Sequence, residues 1–137
     1  MHSHTHVLLV DDDAEYVAAV AKVLRRRGLV VDVAADGEEA LAAMAERSFD
    51  VVVLDLRMPR RDGLSTLTEL RRRGDRTPVL VLSGHADVDD ARRALGQGAA
   101  DVLNKPCGTD NLLSAITDTV ERARLEREIE ELQQRRQ

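Results

Sequence analysis

Five short apolar runs, separated by segments with the spacing of amphipathic helices, are the feature that most constrains the fold of this chain. Each run has the length of a buried strand. The predicted strands are Val7–Val10, Val30–Ala35, Val51–Asp55, Val79–Leu82 and Ala100–Leu103. Because parallel strands need long crossover connections, strands that alternate with helices favour a parallel sheet with helices on both faces. An α/β fold around a five-stranded parallel sheet is therefore predicted.

The segments between the runs show helical periodicity. Apolar residues from Val17 to Leu24 recur at helical spacing, and Gly28 follows as a stop signal. Three further helices are predicted over Gly37–Arg47, Leu64–Arg73 and Asp87–Gln97, the last with Ala91 and Leu95 facing inward. A final helix is predicted to begin at an N-cap at Thr109 or Asp110.

Size and composition favour one soluble domain. The chain has 137 residues, of which 43% are hydrophobic and 33% charged. No apolar run is long enough to cross a bilayer and no signal peptide is visible, while a single cysteine, Cys107, fits a reducing compartment. A net charge of −5 and 1% aromatic residues argue against direct binding of nucleic acid. A cytoplasmic location without a membrane or nucleic-acid partner is expected.

Polar residues stand at the carboxyl ends of four predicted strands. They are Asp11–Asp13, Asp55, Ser83 and Lys105. In open parallel sheets these ends meet at one edge, where ligands bind. Clustered carboxylates suit a hard cation such as Mg²⁺, and a hydroxyl and an ammonium group would bind a phosphoryl group. A carboxylate in such a place can act as the nucleophile and form an acyl phosphate.

Structural roles compete with this interpretation. Three successive aspartates can be helix N-caps, and Asp13, directly before a helix, is best read that way. Asp55 ends an apolar strand, where an unpaired carboxylate is costly. Only two of the 20 basic residues, Lys22 and Lys105, are lysines, which makes a lysine at a strand end notable.

The ordered set of motifs resembles the receiver domains of bacterial two-component response regulators, of the chemotaxis-regulator type. The resemblance covers residues 6–121 and rests on five blocks. These are Val10-Asp11-Asp12, Leu54-Asp55, Met58-Pro59 with Asp62-Gly63, Leu82-Ser83-Gly84 and Lys105-Pro106. It implies a flavodoxin-like, doubly wound fold with strand order 2-1-3-4-5.

The resemblance also implies the roles of the site residues. Asp55 would accept a phosphoryl group from a histidine kinase or phosphotransfer protein of a phosphorelay. Mg²⁺ would be held by Asp11, Asp12, Asp55 and the backbone carbonyl of Arg57. Ser83 would be the switch hydroxyl that bonds the phosphoryl group, and Lys105 the cation that pairs with it. The Lys105–Pro106 bond would be cis.

Four positions concern how such a domain would signal. Val102 stands where the family usually has Tyr or Phe, and Cys107 where it often has Phe. Arg57 and His85 occupy positions at which the family tunes the lifetime of the phosphoryl group. Valine puts the usual aromatic signalling step in doubt.

The end of the chain continues the last helix beyond the domain. Residues 5–121 are expected to form the receiver domain and residues 122–137 a charged helical extension. Leu125, Ile129 and Leu132 repeat there with coiled-coil spacing over less than two heptads. The extension is either a dimerising helix or the start of a signalling helix. A homodimer through it, or through the face of helix 4, strand 5 and helix 5, is the expected self-association.

Three other functions compete with the phosphoacceptor. A dehalogenase-like aspartyl phosphatase would need a second carboxylate two residues after Asp55, where Arg57 stands. A flavin or nucleotide site would place Gly or hydroxyl residues after the first strand, where Asp11–Asp13 stand. An interaction module with a vestigial site would not need all of the polar residues at the strand ends. The chain is expected not to be an enzyme beyond slow autophosphorylation and autodephosphorylation.

Overall fold

A computed structural model describes residues 4–58, 61–84 and 87–136 of the chain. Pro59 and His85, named above, lie outside these ranges. Five strands and five helices alternate along the described chain. In order they are β1 (His6–Val10), α1 (Ala14–Arg26), β2 (Val30–Ala34), α2 (Gly37–Glu46), β3 (Val51–Asp55), α3 (Gly63–Arg72), β4 (Val79–Ser83), α4 (Val88–Gly96), β5 (Asp101–Asn104) and α5 (Thr109–Arg135).

The five strands form one parallel sheet in the order β2-β1-β3-β4-β5. All five residues of β3 and all five of β4 are buried. Complete burial explains why these two strands are the most continuously apolar, since a parallel strand between two helical layers has no solvent-exposed face. Fold class and strand order are as the sequence and the resemblance implied.

Alternate strand residues pack into two separate cores. Val52 and Leu54 of β3 face α2, α3 and α4, whereas Val51 and Val53 face α1 and α5. Successive side chains of a strand point to opposite faces, so one strand supplies both cores. Each fully buried Val or Leu contributes about 1.5–3 kcal/mol to the free energy of folding.

Three aspartates cap the helices that follow the carboxyl ends of β1, β2 and β3. The side chains of Asp13, Asp36 and Asp62 accept from backbone N–H groups in the first turns of α1, α2 and α3. Asp13 is therefore the N-cap that its position before a helix predicted.

Two helix predictions were wrong. The N-cap of α5 is Gly108, without a side-chain cap bond, rather than Thr109 or Asp110. Leu95 is 50% exposed, and Ala94 is the residue of α4 that is fully buried. The apolar stripe of α4 is narrow, and two small residues, Ala91 and Ala94, let the helix lie close to the sheet.

Helix α5 extends well past its packed part. Leu112, Ile116 and Thr119 are buried, while Leu125, Ile129 and Leu132 are each about half exposed. No helix in the described ranges combines the length and the apolar character that a membrane span requires.

Candidate functional site

The register of the sheet brings the polar strand ends to one edge. Val10 is paired with Leu54, so Asp11 and Asp55, one residue further along each strand, lie side by side. Ser83 is paired with Asn104, directly before Lys105. The Lys105 backbone N–H donates to the Ser83 carbonyl at 2.9 Å, and the Lys105–Pro106 peptide is cis.

Three carboxylates form the centre of this edge. Oxygens of Asp11, Asp12 and Asp55 all lie within 4.8 Å of one another. Asp11 and Asp55 are buried, and Asp12 is exposed. Burial raises the pKa of Asp11 and the charge of Asp55 adds to this, against the hydrogen bond from the Asp13 backbone N–H and the charge of Lys105. An all-oxygen set with excess negative charge fits a hard divalent cation such as Mg²⁺.

Lys105 supplies the cation of the site. Its Nζ lies 2.9 Å from Oδ1 of Asp55 and 3.6 Å from Oδ2 of Asp11. Partial burial disfavours the ammonium form, yet the hydrogen bond and charge of Asp55, together with Asp11, leave the pKa of Lys105 raised. The side chain is therefore a fixed positive charge between two buried carboxylates.

Ser83 is buried at the end of β4, and its hydroxyl donates to the carbonyl oxygen of Gly84 at 3.2 Å. Its backbone thus stands beside the lysine while its hydroxyl bonds within its own connection to α4.

Arg57 takes part through its backbone and its side chain. Its N–H donates to Oδ1 of Asp55 at 3.1 Å. Its guanidinium Nε donates to Oδ1 of Asp87, a nearly buried carboxylate just before α4. Sequence reasoning missed this ion pair. An Asp before an amphipathic helix suggests an N-cap, but Asp87 makes no side-chain cap bond.

Gly63 lets α3 begin against the backbone of the site. A Cβ at this position would lie 2.8 Å from the Cα of Leu56 and closer still to the Asp55 carbonyl oxygen. The Gly63 N–H donates to the Leu56 carbonyl at 3.1 Å. The Asp62-Gly63 pair quoted above therefore combines a helix cap with a close approach that only glycine permits.

Val102 lies on β5 and packs, partly buried, against the core beneath α2, α3 and α4. Cys107 is partly buried on the opposite face, beside α1 and α5. Both are packing residues next to the site, neither within the cluster of carboxylates.

Comparisons with known proteins agree with this arrangement. A family model described as the response regulator receiver domain matches residues 7–117. The chain is 37% identical over 115 residues to the transcriptional regulatory protein ZraR of Escherichia coli O157:H7, covering 84% of this chain and 26% of that protein. It is 42% identical over 110 residues to the transcriptional regulatory protein PrrA of Mycobacterium tuberculosis, covering 80% and 47%. The chain thus spans about half or less of the length of these curated relatives.

Solved structures show the same fold. The receiver domain of the Francisella response regulator 1452 matches with a TM-score of 0.82 and 32% identity, over 88% of this chain and 99% of that one. NtrX from Brucella abortus matches with a TM-score of 0.87 and 32% identity, over 95% of this chain and 30% of that one.

Proposed function

The chain belongs to the response regulator receiver domain family, and on that premise we propose that Asp55 is its phosphoacceptor. Receiver domains are phosphoacceptor signalling modules, which supports such a role for this chain. The observation that carries the assignment to Asp55 is its burial between one ammonium group, 2.9 Å away, and two further carboxylates. Burying a carboxylate beside two others costs free energy, which favours a functional role for Asp55 over a purely structural one.

The proposed reaction is transfer of a phosphoryl group from a phosphohistidine of a kinase or phosphotransfer protein. A carboxylate oxygen of Asp55 forms a bond to phosphorus, the phosphorus–nitrogen bond breaks, and the departing imidazole takes up a proton from solvent. Phosphoryl transfer depends mainly on positioning and on stabilising charge. Lys105 holds one oxygen of Asp55, as does the Arg57 N–H, so the carboxylate is oriented before the donor arrives.

Mg²⁺ is the cofactor that the acidic cluster supports. Asp11, Asp12, Asp55 and the backbone carbonyl of Arg57 would hold the ion. Bound there, it would neutralise charge on the transferring phosphoryl oxygens. Asp11 and Asp12 would then bind only the ion, and Lys105, which contacts Asp55 and Asp11, would turn its ammonium group to the phosphoryl group.

The Ser83 hydroxyl is proposed as the group that senses the modification. It now donates to Gly84, and a phosphoryl group on Asp55 offers it a stronger, charged acceptor. Turning toward that acceptor would alter the connection from β4 to α4 and so change the surface that α4 presents to a partner.

The partner and the boundaries are also proposals. A histidine kinase or phosphotransfer protein is the expected donor. Residues 5–121 would form the receiver unit, and residues 122–137 a helical extension used for self-association or for connection to an output domain. A dehalogenase-like phosphatase is not favoured, because Arg57 cannot act as the carboxylic general acid that this chemistry needs.

Intact-mass spectrometry tests the phosphoacceptor. With acetyl phosphate and Mg²⁺ the wild-type chain should gain the mass of one phosphoryl group. Asp55→Asn should gain none, and chelation of Mg²⁺ should abolish the gain in the wild type. An unchanged wild-type mass with acetyl phosphate and with phosphoramidate would contradict the proposal.

A further inference from the structure

The Arg57 side chain joins two connections that approach the site from neighbouring strands. It leaves the β3–α3 connection, and its Nε donates to Asp87 at the start of α4. The Arg57 side chain is 66% exposed, whereas that of Asp87 is 5% exposed. A nearly buried carboxylate is therefore paired with a guanidinium that remains open to solvent and to other anions.

Asp87 also bonds the backbone of Gly84, the residue that follows Ser83. Its Oδ2 accepts from the Gly84 N–H at 3.2 Å, and its own N–H donates to the Gly84 carbonyl at 3.1 Å. That same carbonyl accepts from the Ser83 hydroxyl at 3.2 Å. An unbroken series of hydrogen bonds thus runs from the Arg57 guanidinium through Asp87 and Gly84 to the switch hydroxyl.

Arg57 is next to the group that would be modified. Its N–H bonds Asp55, and its pKa is raised by the hydrogen bond and charge of Asp87 and, to a lesser degree, by the charge of Asp55. A phosphoryl group on Asp55 would carry about two negative charges in place of the single charge of the carboxylate. Guanidinium groups bind phosphoryl oxygens in a bidentate manner, with stronger hydrogen bonds than neutral groups make.

We propose that the Arg57–Asp87 ion pair is a latch that phosphorylation opens. This inference rests on the proposed function of Asp55. In the unmodified chain the latch keeps Asp87 on Gly84 and thereby keeps the Ser83 hydroxyl on the Gly84 carbonyl. The phosphoryl group takes the guanidinium from Asp87, the buried carboxylate loses its cation, and the Gly84 contacts rearrange. Ser83 is then released toward the phosphoryl group.

The latch explains how the chain can signal with valine at position 102. The coupling passes through a charged side chain on the β3–α3 connection instead of an aromatic ring on β5. Arg57 acts here as a positioning residue for Ser83, separately from its backbone contact with Asp55.

Asp87→Asn is the most informative substitution. Both oxygens of Asp87 accept hydrogen bonds, one from Arg57 and one from Gly84. An amide keeps the shape but has one oxygen, so one of these contacts is lost together with the charge. The variant should favour the open arrangement before any phosphoryl group is present.

NMR of the Arg57 Nε–H group and of the Gly84 amide tests the latch, with beryllofluoride and Mg²⁺ standing in for the phosphoryl group. In the wild type, beryllofluoride should shift both signals. In Asp87→Asn without beryllofluoride, the Gly84 amide should already lie part of the way toward its shifted position. The variant should also bind beryllofluoride roughly fivefold more tightly, since no ion pair has to be broken.

A matched pair elsewhere in the chain provides the control. Arg47 Nε donates to Oδ2 of Asp32, on the edge strand β2, at 2.9 Å. Its Nε–H signal should not respond to beryllofluoride, and Arg47→Gln should leave beryllofluoride affinity unchanged.

Two results would overturn the latch. The Arg57 Nε–H signal could stay unshifted while backbone amide signals show beryllofluoride binding that Asp55→Asn abolishes. That result would mean that the ion pair stays closed when the site is occupied. Alternatively, Asp87→Asn could leave both the Gly84 amide and the beryllofluoride affinity as in the wild type. Absence of any Asp55-dependent binding would instead refute the proposed function, and the latch with it.

Discussion

At the scale of single residues, two buried carboxylates share one ammonium group. Lys105 contacts both Asp55 and Asp11, and the exposed Asp12 adds a third negative charge to the same edge. The local charge is therefore negative without a further cation. Lys105 orients Asp55 but does not balance the charge of the three carboxylates, and the remaining negative charge would favour a divalent ion.

Substitution of two neighbouring aspartates should distinguish the proposed metal ligand, Asp12, from the helix cap, Asp13. Mg²⁺ at about 100 times its dissociation constant should raise the free energy of unfolding of the wild type by about 2.7 kcal/mol. Asp12→Asn should lose most of this gain because it removes a proposed ligand. Chemical denaturation at several Mg²⁺ concentrations measures the effect.

Asp13→Asn is the control, since Asp13 accepts from the Tyr16 N–H at 3.1 Å as the cap of α1. Asparagine is also a good cap, so this variant should keep nearly the full Mg²⁺ effect and nearly full stability. Equal responses of the two variants to Mg²⁺ would argue against a specific role for Asp12.

At the scale of secondary-structure elements, the start of α3 depends on a glycine at the site. In Gly63→Ala the new methyl group would press on the backbone of Asp55 and Leu56. We expect a loss of about 1–3 kcal/mol in the free energy of unfolding, because backbone atoms must move to make room. Reduced phosphorylation of Asp55 should accompany the loss, since the displaced backbone carries the carboxylate.

Gly96→Ala provides the comparison. Gly96 ends α4 and has open space around it, so alanine should leave stability unchanged or raise it by up to about 1 kcal/mol. Thermal unfolding of both variants measures the difference. A harmless Gly63→Ala would show that the contact between α3 and β3 is less tight than the structure has it.

The helices, the strands and their order along the chain could be predicted from the sequence. The spacing of apolar residues and the length of apolar runs depend directly on which side chains are buried. Once the strands were predicted, their carboxyl ends were known as well. The residues at those ends were therefore expected at one edge of the sheet, and the structure places them there: Asp11, Asp55, Ser83 and Lys105. Helix ends were less predictable where several polar residues competed, as at Gly108. The Arg57–Asp87 pair could not be predicted, since its members are 30 positions apart in sequence. Asp is common at helix starts and Arg on surfaces, so neither residue alone indicates a partner.

At the scale of the whole molecule, the sheet and both helical layers are complete before the last part of α5. Residues of α5 beyond Glu121 are exposed apart from Ala123, which is partly buried. A chain ending at Glu121 should therefore unfold cooperatively, with a free energy within about 1 kcal/mol of the full chain. Urea unfolding followed by circular dichroism measures this. Loss of the cooperative transition would contradict the proposed boundary of the receiver unit.

Self-association of the full chain remains a prediction that the same truncation addresses. Sedimentation equilibrium of both chains would show whether the exposed Leu125, Ile129 and Leu132 contribute to a dimer.

Signal propagation across the molecule should bypass position 102. Valine is short and β-branched, with few side-chain rotamers, so it cannot move through the volume of an aromatic ring. With beryllofluoride and Mg²⁺ we expect large amide shifts in α4 and at Ser83, and methyl signals of Val102 that report an unchanged rotamer. A rotamer change at Val102, or an α4 that does not respond, would contradict this route.

Reductive trapping of the phosphorylated chain tests the central claim most directly. Borohydride converts an aspartyl phosphate to homoserine, and trypsin should release Ser48–Arg57, which contains both Asp50 and Asp55. Asp50 lies at the opposite end of β3, where it bonds the His6 N–H, and serves as an internal control. Tandem mass spectrometry should find homoserine at position 55 and aspartate at position 50. Homoserine at position 50 or at another aspartate, with Asp55 intact, would contradict the account.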